Sequence, residues 1–487
     1  MANRPPVAAL GLLAVLSACA AQDQEFRPPR PELPAAYSLS APEATSLPRP
    51  SSEWWMGFRS AELDELVESA LRNNHDLKAA VSRIRQAAAA SGIPLAGRFP
   101  RVDFQASGQV DAPSGGVPLD PGEPFDTRRL YQVGLRASYE IDLWGKNRWA
   151  ALSADESLRA SAFDAETIAN TLTADVATAY FEALSARERL TAAQRNVELS
   201  RKLLAAVQER FDAGDSTGPE LVRQKTSIAS FEAEVPIIEL IRDRAMNRLA
   251  VLVATPPGTL RIKATSLDPL VLPAPPLGLP SDLLGRRPDL RRAEANLAAA
   301  HANLNVARAR LLPSFNLSAS YGLASLYMSA LSGPGGLVYG LLGQIAQAVF
   351  DGGRGRADVQ VNEARREELV EAYYQSVLLA LRDVEDSLAS LRFYSTQEAA
   401  QIRFVTLAQQ AHALTVEKYR LGASDYLAVL DTERTRYKSE DDRLVARFRR
   451  LVATVDLYKA LGGGFTSDQR GDPITMPAIV PAEGTKP

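Results

Sequence analysis

A chain of 487 residues, 46% apolar and 23% charged, has room for several compact domains and the make-up of a folded protein, so wholesale disorder is excluded. A net charge near −3 leaves no basic footprint, which argues against nucleic acid as a partner. A single cysteine excludes an intrachain disulfide, and abundant Ala, Leu, Arg and Glu with 7% aromatics lean towards long helices.

The N-terminus reads MANRPPVAALGLLAVLSACA. Arg4 supplies a short positive region, and Val7 to Leu16 is an apolar run of about ten residues. That is too short to span a bilayer and suits the core of a signal peptide, residues 1–18. Leu16-Ser17-Ala18-Cys19 resembles the bacterial lipobox, in which the cysteine is acylated and becomes the mature N-terminus. The rival reading is an ordinary signal peptide with an incidental cysteine. Ala20 stands where an aspartate could follow the cysteine; in the lipoproteins this resembles, that favours the outer membrane. Residues 19–52 are proline-rich, which favours extended backbone and predicts a tether. The folded part is predicted to begin at Trp54-Trp55.

From there the chain carries its parts twice. A helical pattern from Glu62 to Gly97 recurs from Asp289 to Arg310. Alternation of apolar and polar residues then predicts strands at about 101–111 and 130–141, and again at about 314–323 and 339–350. Pro/Gly-rich loops, PSGGVPLDPGEP and SGPGG, join each pair. Arg148 to Phe211 contains no proline or glycine, nor does Arg356 to Leu421. Each would form a helix of about 95–100 Å, the length of a coiled-coil or barrel stave. Leu190, Val197, Leu204 and Phe211 fall at seven-residue spacing, which predicts conventional coiled-coil pairing near the end of the first long helix. Above it Leu172, Val176, Tyr180 and Leu184 recur every four. A glycine turn follows each long helix, and a second helix returns (Pro219 to Val253, Asp425 to Leu461).

The two turns, RFDAGDSTGPELVR and KYRLGASDYLAVLD, place Gly214 and Gly422 208 positions apart (422 − 214). At the same offset LWGKNR falls on DGGRGR. Upstream the offset is 213, where HDLKAAVSRIRQA meets PDLRRAEANLAAA. A single change of register between the strands is typical of a loop. The chain therefore reads as two repeats, 53–262 and 263–464, with a tail at 465–487.

A soluble hairpin packed on helices would also alternate. Against it, the polar strand faces carry Asp103, Arg136, Glu140 and Asp142, and 10–12 residues suit a tilted outer-membrane strand. Four strands cannot close a barrel, since the smallest bacterial ones have about eight, so spanning demands an oligomer. Enzyme signals are weak. His75, His301 and His412 fit no metal-ligand spacing, GGRGR lacks the Lys-Ser/Thr of a phosphate loop, and no G-x-S-x-G or H-E-x-x-H occurs. No catalytic residue, cofactor or metal is expected.

Trp54-Trp55, ALRNNHDLKAA, EIDLWGKNR, RRPDLRRAEANLAAA, LLPSFNLS, VFDGGRGRADV and EKYRLGASDYLAVLDTER, with the Cys19 lipobox, resemble the TolC-like outer-membrane efflux proteins of the lipidated NodT type. The resemblance implies a mainly α fold with a membrane β-barrel. A homotrimer would form a 12-stranded outer-membrane barrel, four strands per chain, continuous with a periplasmic α-helical coiled-coil barrel. It implies a passive duct, anchored to outer-membrane lipid through Cys19, that serves an inner-membrane RND-type pump through a periplasmic adaptor. The alternatives are a channel for type I protein secretion, or a lipid-anchored periplasmic coiled-coil scaffold. The adaptor-docking tip would comprise Gly214, Arg420, Leu421 and Gly422. Both glycines also read simply as left-handed helix ends. The periplasmic gate would use Leu427 as an apolar ring, Asp431 as an acidic ring, Arg434 as its basic partner and Tyr419 as a brace. Tyr426 is expected on the same helix face as Leu427, Asp431 and Arg434. Glu220, Arg223 and Gln224 occupy the matching place in the first repeat, which should contribute less to closure. The bland alternative for Asp431 and Arg434 is a solvated helix pair.

Overall fold

The computed structural model describes residues 26–38, 53–111, 128–274, 277–333 and 335–463. The signal peptide, Cys19, most of the tether, the 113–124 loop and the 465–487 tail lie outside them. The chain divides into two units.

The first unit comprises residues 1–30, 85–160 and 293–373 and holds one antiparallel sheet. Its strands are β1 (Arg101–Asp111), β2 (Arg128–Ile141), β3 (Ser314–Ser325) and β4 (Leu337–Ala346), paired in that order. The register aligns Asp103, Arg136, Ser320 and Gly340 in one row and Phe104, Leu135, Tyr321 and Tyr339 in the next. Side chains of successive rows point to opposite faces, so one face is polar and the other apolar. The apolar residues of that second row all stay exposed. Among the described residues, strands β1 and β4 are free edges. Strand β4 is shorter than the 339–350 expected. Its last residue, Ala346, pairs with Ser314, and Pro313 ahead of that residue lacks an N–H to continue the ladder. Gly134 faces Gly322 across β2 and β3, where an added Cβ would sit 2.6 and 2.4 Å from opposing backbone oxygens.

The other elements are helices: α1 (Ala61–Asn73), α2 (His75–Ala96), α3 (Lys146–Asp212), α4 (Gly218–Leu252), α5 (Asp282–Arg286), α6 (Pro288–Ala309), α7 (Arg354–Arg420) and α8 (Tyr426–Ala460). The predicted 62–97 helix is broken. Asn74 separates α1 from α2, its Oδ1 accepting from the backbone N–H of Asp76 (2.9 Å) and Leu77 (3.1 Å). GGRGR is the strand-to-helix turn read from the sequence. Gly352 and Gly353 take positive φ, and Asp351 accepts from the N–H groups of Gly353 and Gly355 at the start of α7.

The second unit, residues 31–84, 161–292 and 374–487, contains the main core. Trp54, Phe58, Leu63, Tyr180, Phe181 and Leu249 are buried together there. Packing begins earlier than the expected Trp54. Within the proline-rich segment Tyr37 is buried in this unit, and Ser38 hydrogen-bonds Glu385 (2.5 and 2.8 Å). In the first unit Phe26 lies 5.7 Å from the His301 ring. The backbone of 26–38 is irregular, as its prolines dictate, but its aromatic residues have docked.

Near Arg287 the core turns polar. The guanidinium makes a two-pronged pair with Asp289 (3.0 and 2.7 Å), reaches Asp383 (3.2 Å), and donates to the Ala460 carbonyl (3.1 Å). Burial pushes the Asp289 carboxyl up, but the bonds and charge of Arg287 outweigh it and hold it below its ordinary value. Helices α3 and α4 form one hairpin, and α7 and α8 the other.

Candidate functional site

The two hairpin turns close by the same hydrogen bonds. Asp215 N–H bonds the Arg210 carbonyl and Ala423 N–H the Lys418 carbonyl, each at 2.8 Å. Gly214 (φ +85) and Gly422 (φ +71) provide the left-handed residue this Schellman closure needs. Open space surrounds both positions, so backbone conformation alone dictates glycine there. Arg420, Leu421 and Gly422 are exposed at the second turn. Tyr419 lies between two helices, with the Arg210 guanidinium of α3 4.8 Å from its ring and Tyr426 of α8 5.4 Å away.

Asp425 caps α8 by accepting from Ala428 N–H (2.8 Å). Leu427, Asp431 and Arg434 then share an exposed face, at spacings of four and three. Tyr426 does not join them. It is 2% exposed against 53% for Leu427, because successive helical residues point about 100° apart. Its hydroxyl donates to Gln224 Oε1 (2.6 Å) inside the hairpins. Among the described residues no ion pair joins Asp431 to Arg434 within one chain.

Sequence reading missed what lies behind that face. Leu190, Ala193, Val197, Ser200, Leu204 and Val207 alternate by three and four along α3, and all but Leu204 are buried. Val207 ends the buried seam, whereas Phe211, expected to continue it, is exposed. Ser200, Gln224 and Glu433 interrupt the apolar seams of α3, α4 and α8 at one level. Ser200 Oγ donates to Glu433 Oε1 (2.7 Å), and Gln224 Nε2 donates to the Ser200 carbonyl (2.8 Å). The signal was available in the three-four spacing, as polar residues at seam positions.

Another buried carboxyl lies higher on α3. Burial raises Glu166 from 4.5 to about 7, against the pull of Arg291. A raised folded pKa means stability that is full below the unfolded value of about 4.5 and lost as pH rises through about 7. The chain should therefore lose about 2–3 kcal/mol between pH 5 and pH 8 from this group. Thermal melting of the helical signal measures it: the wild-type midpoint falls over that interval and that of Glu166→Gln falls less. Equal slopes in the two chains would place the titration elsewhere.

Among the described residues no group of three or more His, Cys, Asp or Glu could hold a metal, and no helix is long and apolar enough to cross a membrane. His301 meets Asn305 and Trp149, while His412 meets Thr432.

A two-faced antiparallel sheet with an exposed apolar side and, among the described residues, unpaired edges, carried in one chain with two 67-residue helices that are each followed by a returning helix, has the features of an outer-membrane channel protein. The chain belongs to the outer membrane efflux protein family, whose model matches residues 66–255 and 279–463. It is 39% identical over 440 residues to the pyoverdine export outer membrane protein OpmQ of Pseudomonas putida, covering 89% of this chain and 93% of that one. The probable outer membrane lipoprotein SilC of Salmonella typhimurium is 28% identical over 93% of this chain and 97% of its own. Among solved structures, the open state of the Neisseria gonorrhoeae MtrE outer membrane channel aligns with a TM-score of 0.81 at 29% identity, over 90% of this chain and 97% of that chain. The protein is an outer-membrane efflux channel component.

Proposed function

We propose that three copies form a passive exit duct, anchored by an acylated Cys19. Each copy adds four strands to a 12-stranded outer-membrane barrel and two helical hairpins to a periplasmic barrel. The observation that carries this is the four-stranded sheet with two unpaired edges and an exposed apolar face: alone it can neither close nor stay in water. A second feature supports association. Phe393, Leu407 and Leu414 of α7, in one seven-residue register, are 61, 63 and 66% exposed, an apolar seam awaiting another helix. The two segments of the family match support two repeats, 53–262 and 263–464, each running helix, two strands, long helix and returning helix.

In this reading the chain catalyses nothing. An inner-membrane RND-type pump supplies the energy, and a periplasmic adaptor docks at the turns around Gly214 and Gly422. OpmQ is named for pyoverdine export, so a siderophore of that kind is the first cargo to try, ahead of drugs, solvents and metal ions. The test is a deletion strain, complemented by the wild-type or the Cys19→Ser chain and scored on a toxicity and siderophore-export panel. Deletion should sensitise the cells or trap the cargo, and wild-type chain should restore export. Cys19→Ser should lose metabolic palmitate label. A deletion that changes nothing on the panel, with pump and adaptor expressed, would overturn the duct; persistent label would overturn the anchor.

A further inference from the structure

An open cavity of about 880 Å³ lies in the first unit, where α2 ends and α3 begins. Phe26, Leu95, Trp149 and Leu152 give it apolar walls, and Arg98, Arg148, Asp155 and Glu156 bring charges of both signs. Arg98 stands three residues before β1 and Arg148 seven after β2, so the cavity lies at the end of the sheet from which α3 leaves. That end is rich in aromatic residues: Phe99, Tyr139, Trp144, Phe315 and Phe350. Trp144 Nε1 donates to the Pro313 carbonyl (2.7 Å), and its ring lies 6.4 Å from Phe315. On outer-membrane strands such a girdle marks the membrane interface, with lipid phosphates just beyond the hydrocarbon.

Phe26 tells which wall this is. Its ring lies 5.7 Å from His301, which in turn meets Trp149 at 6.2 Å. It stands seven positions after Cys19 (26 − 19), at most about 25 Å of chain. Acyl chains on Cys19 must reach the bilayer, so the wall that holds Phe26 faces the lipid and not the duct.

The charges are ordered along α3. Arg148, Leu152 and Asp155 follow at spacings of four and three on one helix face, which sets Asp155 about 10 Å further along the helix than Arg148. A zwitterionic phospholipid has the same order: acyl chains in the membrane, then phosphate, then ammonium. Among the described residues neither Arg98 nor Asp155 has a side-chain hydrogen bond or ion pair. Glu156 pairs with Arg159 (3.0 Å). Burial pushes its carboxyl up, Arg159 pulls it down and Asp155 pushes it up again, so a further cation beside the two acids is favourable.

We propose that this cavity binds an ethanolamine phospholipid of the inner leaflet, its phosphate on Arg98 and Arg148 and its ammonium on Asp155 and Glu156. A primary ammonium donates to carboxylates, which a choline cannot do, and a glycerol headgroup brings no cation at all. Such a site follows from outer-membrane placement and an anchored Cys19, and it holds whatever the duct carries.

The full-length protein, delipidated in detergent, is titrated with phosphatidylethanolamine, phosphatidylcholine and phosphatidylglycerol of equal chain length, and retained lipid is counted by native mass spectrometry. Each chain should retain one phosphatidylethanolamine, several-fold more tightly than either other lipid. Arg98→Gln/Arg148→Gln should weaken it about tenfold, the loss of charge-assisted bonds to the phosphate, with the lipid-free melting temperature unchanged. Asp155→Asn should narrow the preference for ethanolamine over glycerol. Soluble glycerophosphoethanolamine should not displace the lipid, since the apolar walls hold its chains. Equal retention of the three lipids, equal retention by wild type and the arginine variant, or displacement by the chainless headgroup at equal concentration overturns the site. So does a wild type that retains none, and Cys19→Ser then gives the reason. Retention gained only in that variant means that the chain's own acyl groups fill the cavity, and none in either means that another copy covers it.

Discussion

Replacing Arg287 by alanine lowers stability by about 3–5 kcal/mol, the cost of leaving a buried ion cluster without its central charge. The substitution strands Asp289 and takes the donor from the Ala460 carbonyl, in a site where Arg287 itself is buried, while Asp383 keeps Arg382 (2.7 Å). Lysine does not rescue it, since a single ammonium cannot reproduce the two-pronged bond to Asp289. Removing both charges does better: Arg287→Met with Asp289→Leu should recover much of the loss, because an apolar replacement has nothing left to desolvate. Denaturant midpoints of the purified chain measure all three. An Arg287→Ala midpoint equal to wild type would mean that water already serves these groups.

Asp431→Ala with Arg434→Ala should raise single-channel conductance several-fold and sensitise cells to large antibiotics such as vancomycin. Three copies of Asp431 around a symmetry axis repel one another unless cations or arginines compensate them. Within one chain Arg434 does not pair with Asp431, so this expectation has Arg434 of a neighbouring copy supply the compensating charge in the proposed trimer. Single substitutions should then each open the duct nearly as far as the double one, since either removes the same pair. The matching place of the first hairpin holds Glu220, Arg223 and Gln224, of which Gln224 is committed to the interior. Unchanged conductance in a normally assembled trimer would move the gate elsewhere.

Much of the architecture was legible in the residues. The absence of proline and glycine from Arg148 to Phe211 and from Arg356 to Leu421 leaves the backbone free to stay helical, and both long helices end within two residues of those bounds. Alternation located β1, β2 and β3, a blurrier pattern pointed to β4, and the paired glycines located both hairpin turns. These are local properties, decided by dihedral preference and side-chain period, and a sequence states them directly. What it could not state is which partner meets each face. Strand β4 ends at Ala346 because Ser314, more than thirty residues earlier, ends the ladder. That Tyr426 rather than Leu427 faces inward shows only where Gln224, on another hairpin, receives its hydroxyl. The three-four spacing marks Ser200 as a polar residue at a seam position but does not say what it meets. Only the packing of α3, α4 and α8 brings Ser200, Gln224 and Glu433 to one buried level, because the bonds from Tyr426 to Gln224 and from Ser200 to Glu433 join residues 202 and 233 positions apart.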